Sequence, residues 1–275
     1  MGKLARLHEV PIVRLLRAIE VAALLLRTRT PLSVWRGVVG QALTSTKNGS
    51  QEGGAHFADR TKALRLSEDW FSSCIPKWLE IFQRTGLDTK GRLQLLEIGS
   101  FEGNSSTFLL ETFGDSSLTC VDTWHGLDEH EAVKYQMRKV EESFDFNTAK
   151  YRDRLVKFKG TSEAFFAQTD VSKETYDFIY VDGSHYFDDV LIDAVRCFSM
   201  LKVGGLMILD DYLWTGFKRM EANPIIAINM FVRAKRKHLR VVEAGSQLII
   251  VKRAREDHAG SEAFLELQPE SHGAL

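Results

Sequence analysis

Between residues 93 and 252 short apolar runs alternate with longer amphipathic stretches, the order that a parallel α/β sheet demands. The runs at 93–98, 118–122, 155–159, 176–181 and 206–209 are continuous enough to be strands buried on both faces. A helix is predicted over 105–112, and Pro76 fits the first turn of another whose apolar positions, Ile75 to Phe82, face the sheet. Leu201-Lys202-Val203-Gly204-Gly205 reads as a turn ahead of the fifth strand. After a helix over 224–237, the runs 239–243 and 248–251 flank Gly245-Ser246 and predict a β-hairpin. The five leading strands run toward one edge, and polar residues gather at their carboxyl ends, where ligands bind in open α/β sheets.

Both ends of the chain depart from this pattern. Residues 12–26 predict a helix begun by Pro11, with an apolar run over 21–26, but Arg14, Arg17 and Glu20 interrupt it and it is too short to span a bilayer. Such a helix is expected to cover the main domain or to pair with another subunit in a homo-oligomer. Peripheral contact with a membrane surface, or an organelle-targeting presequence, are the alternatives. Residues 44–54 are rich in Ser, Thr, Asn, Gln and Gly and read as loop, and the polar, aperiodic stretch 253–275 reads as a disordered tail. The expected organisation is therefore a basic helical extension with linker over 1–60, a main domain over 61–252, and the tail.

Composition narrows the classes. With 44% hydrophobic and 27% charged residues the chain is an ordinary globular protein able to fill one large core. A net charge of −1 gives no reason to expect nucleic acid as a partner. Cys74, Cys120 and Cys197 are scattered and form no Cys-x-x-Cys pair, so a reducing, cytoplasmic setting without structural zinc is expected.

The first strand breaks into Glu97-Ile98-Gly99-Ser100-Phe101-Glu102-Gly103 and then a helix, the sequence of a cofactor loop: Gly99 lets the chain turn beside a ligand and Gly103 opens the helix. The spacing is Gly-x-x-x-Gly rather than the dinucleotide Gly-x-Gly-x-x-Gly, and Glu97 would repel a pyrophosphate. An acid there suits a ligand with a sulfonium and an ammonium, which S-adenosylmethionine supplies. Asp122, about 20 residues beyond the loop at the second strand tip, stands where an acid accepts bonds from ribose hydroxyls.

Candidate chemistry sits at the fourth and fifth strands, which end Val181-Asp182-Gly183-Ser184-His185-Tyr186 and Leu209-Asp210-Asp211-Tyr212. If the strands are neighbours, Asp182, Asp210 and Asp211 meet at one edge, and such acids repel one another unless a hard cation such as Mg2+ holds them. The other reading makes Asp182 a loop cap and the two others solvated strand ends. His185 can act as a base near neutral pH or serve as a hydrogen-bonded loop residue. Asp188, Asp189 and Asp193 are expected on a solvated helix face, Trp70 and Phe71 in the core, and residues 123–130, with His125, Glu129 and His130, in a polar surface loop that could form part of a lid.

Together these motifs, with Val121-Asp122-Thr123-Trp124 between them, resemble a class I S-adenosylmethionine-dependent methyltransferase over about residues 69–252. The likeness is greatest to the small-molecule O-methyltransferases of sugars and antibiotics, with catechol O-methyltransferase more distant. The resemblance implies a Rossmann-like, doubly wound α/β sheet of seven strands, mostly parallel with an antiparallel last strand. It implies that Glu97, Gly99 and Gly103 meet the methionine end of S-adenosyl-L-methionine, Asp122 its ribose and Ser162, with Glu163, its adenine, and that Ser100 and Asp182 also belong to the cofactor site. Asp182, Asp210 and Asp211 correspond to ligands of Mg2+ or a similar divalent cation, although catechol-type enzymes carry asparagine where Asp211 stands. Asp182 and His185 would be catalytic, His185 falling where those enzymes place a lysine base, and a small-molecule acceptor would be methylated on a hydroxyl. An NAD-dependent oxidoreductase is disfavoured by the missing third glycine and the terminal hairpin. A non-catalytic binding module on the same scaffold would not need the acid cluster.

Overall fold

The computed structural model describes residues 11–35, 37–38, 60–125 and 134–254, with no side chains described for 11–18 and 134–138. The loop expected at 44–54, the second half of the 123–130 segment and nearly all of the tail expected from 253 lie outside the described residues. In chain order the elements are α1 (Pro11–Arg27), α2 (Ile75–Thr85), β1 (Gln94–Ile98), α3 (Asn104–Thr112), β2 (Ser117–Asp122), α4 (Lys134–Thr148), β3 (Leu155–Lys159), α5 (Ser162–Gln168), β4 (Tyr176–Val181), α6 (Phe187–Met200), β5 (Leu201–Leu209), α7 (Pro224–Lys235), β6 (Leu239–Ala244) and β7 (Leu248–Lys252). Pro76 and Pro224 stand in the first turns of α2 and α7, where the missing N–H costs nothing.

The strands form one seven-stranded sheet in the order β3-β2-β1-β4-β5-β7-β6. β1 to β5 pair in parallel, and β7 enters antiparallel between β5 and β6, as the terminal hairpin foretold. The chain builds outward from β1 to β3 and then crosses back to β4. This reversal opens a crevice between the carboxyl ends of β1 and β4, the place where open α/β sheets bind ligands.

Period-two alternation divides the core into two layers. Leu96, Ile98, Ile179, Val181, Met207 and Leu209 face α1, α6 and α7, while Leu95, Phe178, Leu206 and Ile208 face α2, α3 and α4. In the second layer the fully buried Trp78 makes edge contacts with Phe178 and Tyr180, at ring-centroid distances of 5.6 and 4.8 Å. Of the two aromatics expected in the core, Phe71 is buried, but Trp70 is 64% exposed and leans on Phe101.

The stretch 201–205 is not a turn but the first half of β5. Tyr176 pairs with Leu201 and Phe178 with Leu206, so the residues between are absorbed as a bulge in which Gly204 adopts φ +75°. Two adjacent glycines look like a turn in sequence, whereas here they bend a strand without ending it.

Candidate active site

Gly99 and Gly103 shape the mouth of the crevice. Gly99 has φ +83°, and a Cβ there would lie 2.5 Å from the Asp182 carbonyl carbon and 2.9 Å from Gly183 Cα, so the loops after β1 and β4 touch only because this side chain is missing. Gly103 caps α3 at φ +78°, with Phe144 and Thr148 of α4 packed on it.

Asp122 sits at the tip of β2 and accepts from Ser100 N at 2.8 Å, Phe101 N at 2.9 Å and Trp124 N at 2.7 Å. The carboxylate thus pins the glycine loop to the second strand. Glu97 shares the β1 face of Leu95, so it points beneath the loop toward α3 and is fully buried. Its Oε2 accepts from the Ser106 hydroxyl, and its Oε1 has no hydrogen-bond partner. Burial raises its pKa, against the hydrogen bonds of Ser105, Ser106 and Ser100.

Asp182 and Asp210 end the neighbouring strands β4 and β5, locked together by Asp210 N donating to the Val181 carbonyl at 2.9 Å. The Tyr180 hydroxyl lies between their carboxylates, donating to Asp182 Oδ2 at 2.8 Å and in short contact with Asp210 Oδ2. One hydroxyl hydrogen serves only one carboxylate at a time, so the arrangement favours a proton held within the cluster. Asp182 keeps an open face to solvent. Even so, the protein packed around it, followed by the charges of Asp210 and Asp211, pushes its pKa well above the carboxylate range. Burial and Asp211 raise that of Asp210 as well.

Asp211 does not join this pair. It lies beyond the end of β5, where the backbone turns into the left-handed region at φ +53°, and its carboxylate meets His185, whose Nε2 lies 2.8 Å from Oδ2. The His185 ring stacks on Trp214 at 4.5 Å. The three acids do meet at one edge, lining one small cavity at the strand tips, but only Asp182 and Asp210 share a hydroxyl, and among the described residues no group of three or more His, Cys, Asp or Glu is placed to hold a metal ion.

Sequence reasoning missed what supports the pair. Gln247, in the turn between β6 and β7, donates to Asp210 Oδ2 at 2.7 Å and accepts from Trp78 Nε1 at 2.8 Å. Tyr180 was legible in principle, because it lies two residues before Asp182 on the same strand face. Also missed was a strap over the glycine loop: Ser67 N donates to Glu102 Oε2 at 2.6 Å, and Asn104 Nδ2 donates to Asp69 Oδ1 at 2.9 Å.

Ser162 opens α5 beside the crevice, capped by Thr161, whose hydroxyl accepts from Ala164 N. The Ser162 side chain lies near Asp193, and here the expected solvated face is wrong: Asp193 is 2% exposed and its Oδ1 has no partner. Helical spacing alone did not show that α6 turns this residue toward α5. Burial pushes its pKa up from 3.8 to about 7, with the charges of Asp189 and Glu163 adding to the rise. A folded pKa raised above the unfolded one means that stability is complete below about pH 4 and is lost as pH rises through about 7. Asp193→Asn should therefore leave stability at pH 4 nearly unchanged and raise it at pH 8 by roughly 2–4 kcal/mol. Urea denaturation at the two pH values checks this, and an equal effect at both would refute it.

A glycine loop after β1, an acid at the tip of β2 and the sheet order β3-β2-β1-β4-β5-β7-β6 make a Rossmann-like, doubly wound α/β fold closed by an antiparallel strand. Residues 96–212 match the family model described as "Methyltransferase domain", a segment that runs from the glycine loop through Tyr212 and so contains the whole acid cluster. An uncharacterized protein of Acanthamoeba polyphaga mimivirus is 25% identical over 170 residues, covering 60% of this chain and 74% of that protein. Among solved structures, the MycE methyltransferase of the mycinamycin biosynthetic pathway, in complex with Mg, SAH and mycinamycin VI, superposes with a TM-score of 0.51 at 16% identity, covering 82% of this chain and 60% of its own. A candidate sarcosine dimethylglycine methyltransferase from Galdieria sulphuraria gives 0.37 at 23% identity, over 50% of this chain and 46% of that one. The chain thus spans less than two thirds of either solved structure's length.

Proposed function

We propose that the protein transfers the methyl group of S-adenosylmethionine to a hydroxyl oxygen of a small-molecule acceptor, assisted by a divalent cation of the Mg2+ kind. The observation that carries this reading is the Asp182–Asp210 pair, two crowded carboxylates on adjacent strand tips beside the glycine loop. Their donor chemistry fits a hard cation. Mg2+ is commonly held by one or two carboxylates with water and substrate completing its shell, so a third convergent acid is not required. The Mg in the MycE complex supports the same reading. When bound, the ion lowers the pKa of an acceptor hydroxyl that is scarcely ionised in water.

The protein's own residues do the rest. Gly99, Ser100 and Gly103 offer backbone to the methionine end of the cofactor, above the buried carboxyl group of Glu97. Asp122 keeps lone pairs for ribose hydroxyls while it anchors the loop, and Ser162 stands at the adenine side. Asp182 and Asp210 grip the acceptor side, and Asp182, which faces the open side, or His185, oriented by Asp211 and by Trp214, takes the hydroxyl proton as the oxygen approaches the methyl carbon in line. No covalent enzyme intermediate is needed.

Isothermal titration calorimetry with S-adenosylmethionine, S-adenosylhomocysteine and NAD, with Mg2+ and with a chelator, tests the cofactor. The adenosyl ligands alone should bind. Binding of NAD, or of none of the three, would overturn the proposal in favour of an oxidoreductase or a non-catalytic scaffold.

A further inference from the structure

We propose that the outward face of α1 is a docking surface for an anionic phospholipid bilayer, which seats the catalytic domain on a membrane surface. Helix α1 has two sides. On one, Leu25 is fully buried and Val21 and Leu24 pack against the core formed by α6 and α7. On the other, Ile19, Ala23 and Leu26 are exposed at spacings of four and three residues, Ile19 at 55% and Leu26 at 69%, and Leu32 follows just beyond the helix at 68%. That is one continuous apolar stripe facing solvent.

The helix cannot hide the stripe by rotating. At its carboxyl end Thr28 and Thr30 are buried and bonded to each other at 2.9 Å. Asn229 of α7 donates to Thr30 Oγ1 at 2.9 Å and accepts from the Tyr212 hydroxyl at 2.9 Å. This buried polar chain fixes the orientation of α1 against the strand tip that carries Asp210 and Asp211. Turning the helix would strand these groups without partners and expose Leu25.

Charge selects the occupant. The first forty residues hold seven Lys and Arg against two Glu, and Arg27 and Arg29 are exposed at the end of the stripe. A second copy of the same face would bring like charges together. An anionic lipid surface is complementary both to Arg27 and Arg29 and to the apolar side chains that lead up to them. No helix among the described residues is long and apolar enough to cross a membrane, so the contact proposed lies on the surface.

The test is co-sedimentation of the full-length protein with phosphatidylcholine vesicles and with vesicles containing about 30% phosphatidylserine, a composition chosen to supply the anionic surface. Binding to the anionic vesicles only, weakened by raised salt, is expected. Leu26→Ser and Ile19→Ser should each weaken it about ten-fold, and Arg27→Glu with Arg29→Glu by at least as much. Unchanged melting temperature and S-adenosylhomocysteine affinity in the variants would show that the fold is intact. Absence of binding to either vesicle, or binding indifferent to all these substitutions, overturns the proposal. So does a light-scattering mass showing a dimer that Leu26→Ser converts to monomer without lipid binding, which would assign the face to a second copy.

Discussion

Replacing Asp182 by alanine should lower methyl transfer about a thousand-fold while S-adenosylhomocysteine still binds within about ten-fold of the parent protein. The separation follows from geometry. Asp182 shares the Tyr180 hydroxyl with Asp210 and faces the open acceptor side, whereas the cofactor loop is held by other groups, chiefly Asp122 through the amides of Ser100 and Phe101. Removing the carboxylate would therefore take away the acceptor contact proposed for it without loosening the loop. Asp182→Asn keeps the shape and should lose nearly as much activity, which distinguishes lost charge from lost packing. Single-turnover transfer beside calorimetric binding is the measurement, and near-parental turnover in either variant would remove Asp182 from the mechanism.

Gly99→Ala should do the reverse, destroying cofactor binding and much of the stability together. The left-handed backbone costs a side chain about 1–2 kcal/mol. Backbone atoms of Asp182 and Gly183, unlike the end of a flexible side chain, cannot step aside for the added methyl, and overpacking of that kind adds about 1–3 kcal/mol. A fall in melting temperature of roughly 10 °C or more, with no detectable S-adenosylhomocysteine binding, is the expected result. A stable variant that binds the cofactor would mean that the loops after β1 and β4 do not meet as described.

The repeating framework was legible because it rests on local pattern. Apolar runs gave β1 to β4 nearly to the residue, and the Gly245-Ser246 turn gave the hairpin that makes the last strand antiparallel. The start of β5 was not legible, since Gly204-Gly205 carries the same signal in a bulge as in a turn. At the site, Asp182 and Asp210 could be paired from strand order alone. The pairing of Asp211 with His185 was not legible, because it depends on a left-handed backbone at Asp211, just past the strand, that no glycine or asparagine signals. Asp193 and Gln247 lay beyond reach for a different reason: each matters through a neighbour distant in sequence, and one chain without its fold does not reveal such pairs.

Gln247 carries one more consequence. It belongs to the hairpin that inserts β7 between β5 and β6, and its bond to Trp78 joins residues 169 positions apart. During synthesis the glycine loop leaves the ribosome long before this residue does, and Asp210 precedes it by 37 residues. A nascent chain can thus assemble its glycine loop early, but Asp210 gains its amide donor only when β6 and β7 are threaded home. The order of emergence makes the hairpin a completion step, and the acid pair is fully braced only in a molecule whose sheet has closed.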